Sequence, residues 1–321
     1  MHIGPDLSAL RHDDAPQRAA QAALIAAARD WRARTDVAEL QSELAGFSAC
    51  RSIAECPLLA ALFEDGNPSA RAFVDDFNAT VVAAMTRHRL GHVAMRHFTD
   101  GAVSNIMLAQ AERVSLMLVA LDGAALATRP APVAVNFSPA DSWDHILAGR
   151  AEATLIEARP AGAAQVEFHC RVAQLVPGKV IAREGSRQAL AVDRVDGRLV
   201  SLRLVRRHQH PGPAREYDLA TGKLIHQSAG DVRESRLEFM VSLAGRMGRA
   251  DAAPQLAGIA LEDWGEGLRW EALRQCLGLD TATGFAALGQ LANRAGDPLA
   301  EPARSLRAGL ITAHPQLQEL G

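Results

Sequence analysis

The spacing of apolar residues changes twice along this 321-residue chain. Over residues 15–46, alanines and Trp31 recur at three- and four-residue intervals, which is the period of an amphipathic helix. After Gly91 the apolar segments are short, rich in Val, Met and Leu, and separated by turn residues, as in β-strands. From Asp231 the helical spacing returns. This order favours a β-sandwich or barrel over a βαβ sheet, and it predicts an α+β fold with helical flanks.

A chain of this length holds more than one hydrophobic core, because single cores stop growing at a smaller size. We therefore predict a helical N-terminal region over residues 1–90, an antiparallel β-barrel or sandwich over 91–230, and a helical C-terminal region over 231–321. The hairpin that closes the β region turns at Gly222, since a three-residue hairpin loop needs a left-handed residue. Helices are expected over residues 15–46, 57–64, 67–89, 232–249, 252–261, 268–277, 281–294 and 302–313.

Two short segments of the C-terminal region are similar to each other. Leu268–Ala272 and Leu299–Ala303 lie 31 residues apart, and each follows a loop. Their pattern resembles HEAT-type helical hairpins over residues 250–313. It also fits two ordinary antiparallel helix pairs, because repeat arrays usually show three or more units. Trp264 and Trp270 flank a turn between these helices and are expected to clamp them together.

Four segments in the middle of the chain form an ordered pattern: His145–Leu155, Leu175–Ile181, Gly185–Val192 and Leu199–Val205. In that order they resemble the strands and turns of a cupin β-barrel. The resemblance covers residues 145–205 and rests on apolar and turn positions. It implies a cupin-like barrel with a pocket at its mouth. If this chain resembles the metal-dependent cupins, the resemblance also implies a metal held by an HxH pair, a Glu and a further His. At the position of that last His, this chain has Gln188.

Three residues are the candidates for contact with a ligand in such a barrel: Gln188, His97 and His145. Alternation along the strand gives Gln188 the same face as Leu190 and Val192, so we expect its side chain to point inward. Its amide would then bond a polar ligand or, equally well, the backbone around it. The sequence identifies no catalytic residue.

The HxH element of this chain is His208-Gln-His210, and Glu216 follows it. Alternation puts both histidines on one face, so these three residues are the candidate metal ligands. Arg206 and Arg207 adjoin them, and nearby positive charge disfavours a cation. We therefore expect no cofactor and a solvated strand end that leaves at least one histidine in water. If a metal does bind, Fe(II) or another divalent ion suits these imidazole and carboxylate ligands.

Several classes of protein are disfavoured by composition. The formal net charge of −3 and the mixing of Arg with Asp and Glu argue against a nucleic-acid partner. No apolar run is long enough to span a membrane, and the first residues lack signal-peptide features, so we expect a cytoplasmic protein without a membrane partner. The four cysteines show neither zinc nor disulfide spacing, and we expect reduced, mostly buried thiols. Abundant Ala, Leu, Arg and Val are typical of a bacterial gene.

Three functions fit these observations. The first is a cupin-like binding or accessory protein that holds a small molecule, a peptide or a partner protein without a catalytic metal. The alternative is a metal-dependent cupin enzyme, such as an Fe(II) oxygenase or an isomerase. A helical-repeat scaffold supported by the barrel is the third. The sequence does not decide whether the protein is an enzyme or whether it forms a homodimer.

Overall fold

The computed structural model describes residues 13–49, 51–92, 94–162, 164–209 and 211–320. The chain divides into two compact units. The first runs to Gln209 and includes Asp218–Lys223, and the second comprises His210–Tyr217 and Leu224–Gly321. Helical segments precede and follow a set of antiparallel strands, which confirms the predicted α+β fold.

Five α-helices of the described chain precede the first strand: α1 (Ala15–Arg32), α2 (Thr35–Ser48), α3 (Pro57–Leu62), α4 (Ser69–Phe77) and α5 (Ala83–Arg87). The single helix predicted over residues 15–46 is wrong, because Arg34 is extended and separates α1 from α2. The buried side chains of α1 end with Trp31, and those of α2 include Leu40 and Leu44. An unbroken helix, at about 100° per residue, would place Leu40 about 180° and Leu44 about 140° away from Trp31. The break lets both apolar stripes face one core.

The first unit contains eight described strands: β1 (His97–Thr99), β2 (Val103–Ala111), β3 (Val114–Asp122), β4 (Ala134–Phe137), β5 (Ala140–Gly162), β6 (Gln165–Leu175), β7 (Val180–Glu184) and β8 (Gln188–Arg207). Seven of them form one antiparallel sheet in the order β1-β2-β3-β8-β5-β6, with β7 also paired to β5. Among these strands no pairing joins β1 to β6, so the sheet is open at both ends.

The N-terminal helices cover one face of this sheet. Leu116, Leu202 and Leu204 of the strands share a buried core with Phe47 and Phe77 of the helices. This face therefore belongs to the hydrophobic core of the unit. Any site on the sheet must lie on its other face or along an edge.

The two longest strands, β5 and β8, pair along most of their length and bend together. At the bend, Gly149 of β5 faces residues 197–199 of β8, which is a bulge. Bulges bend the strand that carries the extra residues and increase its twist. Gly149 has φ +86°, and a Cβ there would lie 1.9 Å from the carbonyl oxygen of Arg198. Glycine is therefore required at this position.

Two further strands, β9 (Ala214–Asp218) and β10 (Leu224–Ser228), form a hairpin whose turn, with Asp218, belongs to the first unit and whose other residues belong to the second. Five α-helices of the described chain follow in the second unit: α7 (Val232–Arg246), α8 (Ala253–Leu261), α9 (Glu266–Leu279), α10 (Thr281–Ala292) and α11 (Ala300–Ala313). Gly222, with φ +68°, makes the predicted left-handed turn of the hairpin. Phe285 and Leu288 lie at the centre of the helical core, and Trp264 and Trp270 pack half-buried against it, as expected. The HEAT-like character of residues 250–313 stays a prediction.

The bend gives a matched pair of substitutions. Gly197 has φ +71°, and a Cβ there would have no atom within 4 Å, so Gly197→Ala should cost about 1 kcal/mol through backbone strain alone. Gly149→Ala should cost about 3 kcal/mol or more, because the Arg198 carbonyl must also move. Urea unfolding followed by tryptophan fluorescence measures both. Equal losses would show that the two strands do not approach closely at Gly149.

Candidate functional site

Strand β3 leaves the sheet at Asp122, and the chain turns directly into a short helix, α6 (Gly123–Ala127). The Asp122 carboxylate accepts a hydrogen bond from the first turn of α6 and pairs with Arg198 at 3.1 Å. Gly123 permits the turn, because a Cβ there would lie 2.3 Å from the carbonyl oxygen of Val195. At this point β8 loses β3 as a neighbour.

The departure of β3 leaves part of β8 with a free edge. Residues 200–206 of β8 pair with both β3 and β5. Over residues 188–195, which we call the β8 edge, the only described strand that pairs with β8 is β5. Such an edge presents main-chain N–H and C=O groups that a further strand can bind.

The ladder between β5 and β8 shows which groups face outward. The Ala158 N–H donates to the Arg187 carbonyl oxygen at 2.8 Å, so Arg187 points its carbonyl group toward β5. In an antiparallel pair, residues that face the partner alternate with residues that face away. Ala189 therefore faces β5, whereas Leu190 and Val192 direct their N–H and C=O groups away from it.

A cavity of about 730 Å³ lies against the β8 edge, and we call it the edge cavity. Its volume falls within the range of ligand pockets, about 300 to 1,000 Å³. Most of its wall is apolar and includes Leu126 and Ala127 of α6, Val135 of β4, Ile156 of β5 and Leu219. The cavity thus combines an apolar surface with outward main-chain groups.

Residues 129–132, with the sequence Arg-Pro-Ala-Pro, form another part of this wall. Proline has no N–H group and cannot donate to a sheet ladder. Pro130 and Pro132 therefore prevent this segment from pairing with the β8 edge as a regular strand. The space beside the edge stays available for another molecule.

One ion pair holds the charged end of the wall in place. Arg129 Nη2 lies 2.7 Å from Asp100 Oδ1. This hydrogen bond is the main reason why the pKa of Asp100 is lowered to about 2, and the N–H groups of Val103 and Ala102 add to the effect. Asp193 is also engaged, because it accepts a hydrogen bond from the Thr154 hydroxyl at 2.8 Å.

The three predicted ligand-binding residues lie far apart on the sheet. Leu190 and Val192 pack against a small core and Arg187 is exposed, while Gln188 is half-buried and accepts a hydrogen bond from the Glu184 N–H at 3.2 Å. The part of β8 that lines the edge cavity begins one residue later, at Ala189. A ligand role for Gln188 stays a prediction.

The two histidines of that prediction are engaged elsewhere. His145 is buried on the helix-covered side, where its Nδ1 lies 2.7 Å from the Leu62 carbonyl oxygen. His97 is exposed on β1, with its Nδ1 3.1 Å from the Met95 carbonyl oxygen. Neither residue is brought to Gln188, which pairs with Glu157 near the other end of β5. The structure therefore does not join the three residues in one site.

The candidate metal ligands are tested only in part. His208 is half-buried, and its Nε2 lies 3.1 Å from Asp141 Oδ1. His210 lies outside the described residues. Glu216 belongs to the second unit and pairs in register with His226 of β10. Within the described residues no cluster of three or more His, Cys, Asp and Glu side chains is arranged to hold a metal ion.

A charged cluster that the sequence does not reveal lies on the face of the sheet away from the helices. Asp144 is buried and accepts hydrogen bonds from Arg183 Nη2 and Arg203 Nε. Burial lowers the pKa of Arg183, and the carboxylate of Asp144 opposes that effect. The three residues come from β5, β7 and β8, so they fasten these strands to one another. No sequence motif marks such a cluster, since the pairing register creates it.

Two further expectations concern the burial of the cysteines and membrane-spanning segments. Cys56 and Cys276 are buried as expected, Cys170 is exposed on β6, and Cys50 lies outside the described residues. Burial raises the pKa of the Cys56 and Cys276 thiols. Among the described residues, no helix is both long enough and apolar enough to cross a membrane.

Comparison with known proteins gives likeness of fold only. No protein-family model matches the chain, and no curated protein matches it. A cupin superfamily protein from Desulfitobacterium hafniense has 19% identity over 35% of this chain and 83% of its own, with a TM-score of 0.24. A putative mannose-6-phosphate isomerase from Ralstonia eutropha has 19% identity over 35% of this chain and 94% of its own, with a TM-score of 0.24. KdgF from a Halomonas species has 13% identity over 36% of this chain and 89% of its own, with a TM-score of 0.25.

At such identities and scores the likeness assigns no function to this chain. The candidate site therefore rests on the geometry of the β8 edge and its cavity.

The ion pair at the edge cavity predicts a pH effect. Arg129→Gln should raise the pKa of Asp100 from about 2 toward its ordinary value of about 3.9, because the largest cause of the shift is removed. Arg194→Gln, at another residue of the cavity wall, should leave it unchanged. Carboxyl-carbon NMR titration measures the pKa directly.

The same shift sets the direction of the stability effect. A carboxylate whose pKa is depressed on folding stabilises the protein above its unfolded pKa, and that contribution disappears as the pH falls through the folded pKa. The stability difference between the parent and Arg129→Gln should therefore shrink between about pH 4 and pH 2. A difference that grows over this range would contradict the assignment.

Proposed function

We propose that the first unit is a peptide-binding module, which holds an extended segment of a partner protein along the β8 edge. The observation that carries this proposal is the unpaired edge at residues 188–195, which forms a wall of the edge cavity. Addition of a strand to an exposed sheet edge is a common mode of peptide recognition. In that mode, main-chain hydrogen bonds supply affinity and pockets for alternate side chains supply specificity.

The chemistry of the edge favours a peptide over a purely apolar small molecule. Leu190 and Val192 each present one donor and one acceptor, spaced two residues apart as in a sheet. An apolar molecule would cover the cavity walls but leave these groups without partners, and a buried unpaired amide group costs about 1–3 kcal/mol. An extended peptide satisfies both requirements at once.

The edge also lacks the features that usually prevent strand addition. Natural proteins often block exposed edges with charged residues, prolines or short strands. The segment Gln188-Ala-Leu-Ala-Val192 carries no charge and no proline, and it belongs to a 20-residue strand. Charged side chains, Asp193 and Arg194, occur only in the last three residues of the edge. Such an edge is suited to a ligand that is held between α6 and the proline-containing wall.

A short synthetic peptide tests the proposal. The probe is the capped hexapeptide acetyl-Lys-Thr-Val-Thr-Val-Lys-amide, and the control is the same peptide with both valines N-methylated. We expect the first to shift the amide resonances of Leu190 and Val192 with a Kd on the order of 1 mM. The control should bind much more weakly, because it has lost the N–H groups that pair with the edge.

Two variants on α6 localise that binding. Ala127→Trp fills the edge cavity and should abolish the shifts, whereas Ala124→Trp places the same side chain on an exposed position that does not line it. Equal binding of both peptides would contradict strand addition. Binding that survives Ala127→Trp would contradict the assignment of the site.

A further inference from the structure

Helix α7 carries large apolar side chains on two opposite sides. Val241 is buried in the core of the second unit, and Leu237 packs half-buried beside it. Phe239 lies about 160° away from Val241 around the helix, and its side chain is 69% exposed. A surface helix normally keeps apolar residues on one side only, so the second apolar side indicates an interface.

The exposed side, which we call the α7 face, is formed by large apolar residues and arginines. Its apolar members are Val232, Phe239, Met240, Leu243 and Met247. Aromatic residues, Met and Arg are enriched in the centres of protein interfaces. Methionine also adapts its shape to different partners.

The charged residues that helix α7 itself contributes to this face are all arginines. Arg233, Arg236 and Arg246 are exposed, and none of them makes an ion pair or a side-chain hydrogen bond with any residue that the structure describes. The acidic residues of α7 are turned away: Glu234 accepts a hydrogen bond from the Gly265 N–H, and burial raises the pKa of Glu238. Three exposed cations beside an apolar stripe, with no ion-pair partner among the described residues, favour an anionic counterpart.

The α7 face is concave at its N-terminal end. A groove of about 370 Å³ is lined by residues 229–232 and by Ser235, Arg236, Phe239 and Met240. Asp231 is the acidic residue of this groove, and it is engaged as the N-cap of α7, accepting hydrogen bonds from the helix backbone. The groove therefore offers apolar contact and a free guanidinium group.

We propose that the α7 face docks an acidic amphipathic helix of a partner protein, with apolar side chains in the groove and carboxylates on Arg236 and Arg246. Helix-in-groove binding uses apolar anchors at helical spacing, and the planar guanidinium suits paired carboxylate oxygens. A second copy of this chain is a poorer occupant, because symmetric contact would bring the arginines of the two copies together. An anionic membrane surface is also poorer, because a flat bilayer leaves the groove unfilled.

Charge-swapped peptides test this proposal without knowledge of the natural partner. One probe is an 18-residue helical peptide with Leu at positions i, i+3, i+4 and i+7 and Glu beside them, and the other has Lys in place of Glu. We expect the Glu peptide to bind the full chain at least about tenfold more tightly than the Lys peptide, with an affinity that falls as salt is added.

The double variant Arg236→Glu/Arg246→Glu should reverse that preference, while Arg171→Glu, at an exposed arginine of β6, should leave it unchanged. Phe239→Ser should weaken both peptides, and thermal unfolding checks that each variant stays folded. Equal binding of the two peptides, or no binding of the Glu peptide, would overturn the proposal. It would also be overturned by tighter binding to phosphatidylglycerol vesicles, or by a dimer of the parent that Phe239→Ser dissociates.

Discussion

The pairing of β5 with β8 is the constraint from which the rest of the first unit follows. Both strands are long enough to extend through two parts of the sheet, and the bulge opposite Gly149 bends them between those parts. On one side of the bend, β8 lies between β5 and β3, and the N-terminal helices cover the sheet with a shared core. On the other side, β3 has left to form α6, and β8 keeps β5 as its described partner.

The free edge is thus a consequence of how β3 ends. Asp122 caps α6 and binds Arg198, and Gly123 allows the backbone to pass close to β8. These interactions stabilise the turn and remove a neighbouring strand at the same residue. Unpaired backbone groups beside apolar walls cost free energy unless something binds them. The α7 face shows the same relation in the second unit, where exposed apolar side chains and arginines have no partner among the described residues.

The periodicity of the sequence was sufficient to predict the larger elements. The change at Gly91 and the return at Asp231 mark the β region because core-facing residues must follow the period of their element. Periodicity does not reveal the break at Arg34. The apolar stripes of α1 and α2 each have a helical period, and only the angle between the two stripes requires a break. Periodicity does not reveal the β8 edge either. The turn residues Asp122 and Gly123 do not show that β3 leaves the sheet there, and two strand segments of the cupin-like pattern, Gly185–Val192 and Leu199–Val205, fall largely within one bent strand. Glycine within a strand pattern, as at Gly149, is the signal that indicates a bulge.

Hydrogen exchange at single amides of β8 tests the central claim, that residues 188–195 have a free edge. In the protein without peptide, the N–H groups of Ala189 and Ala191 should exchange slowly, because β5 binds them. Those of Leu190 and Val192 should exchange at least about 100-fold faster, because they face the cavity. This alternation, seen by NMR in D₂O, would support the account. Uniform protection along residues 188–192 would contradict it, since it would mean that another strand already occupies the edge.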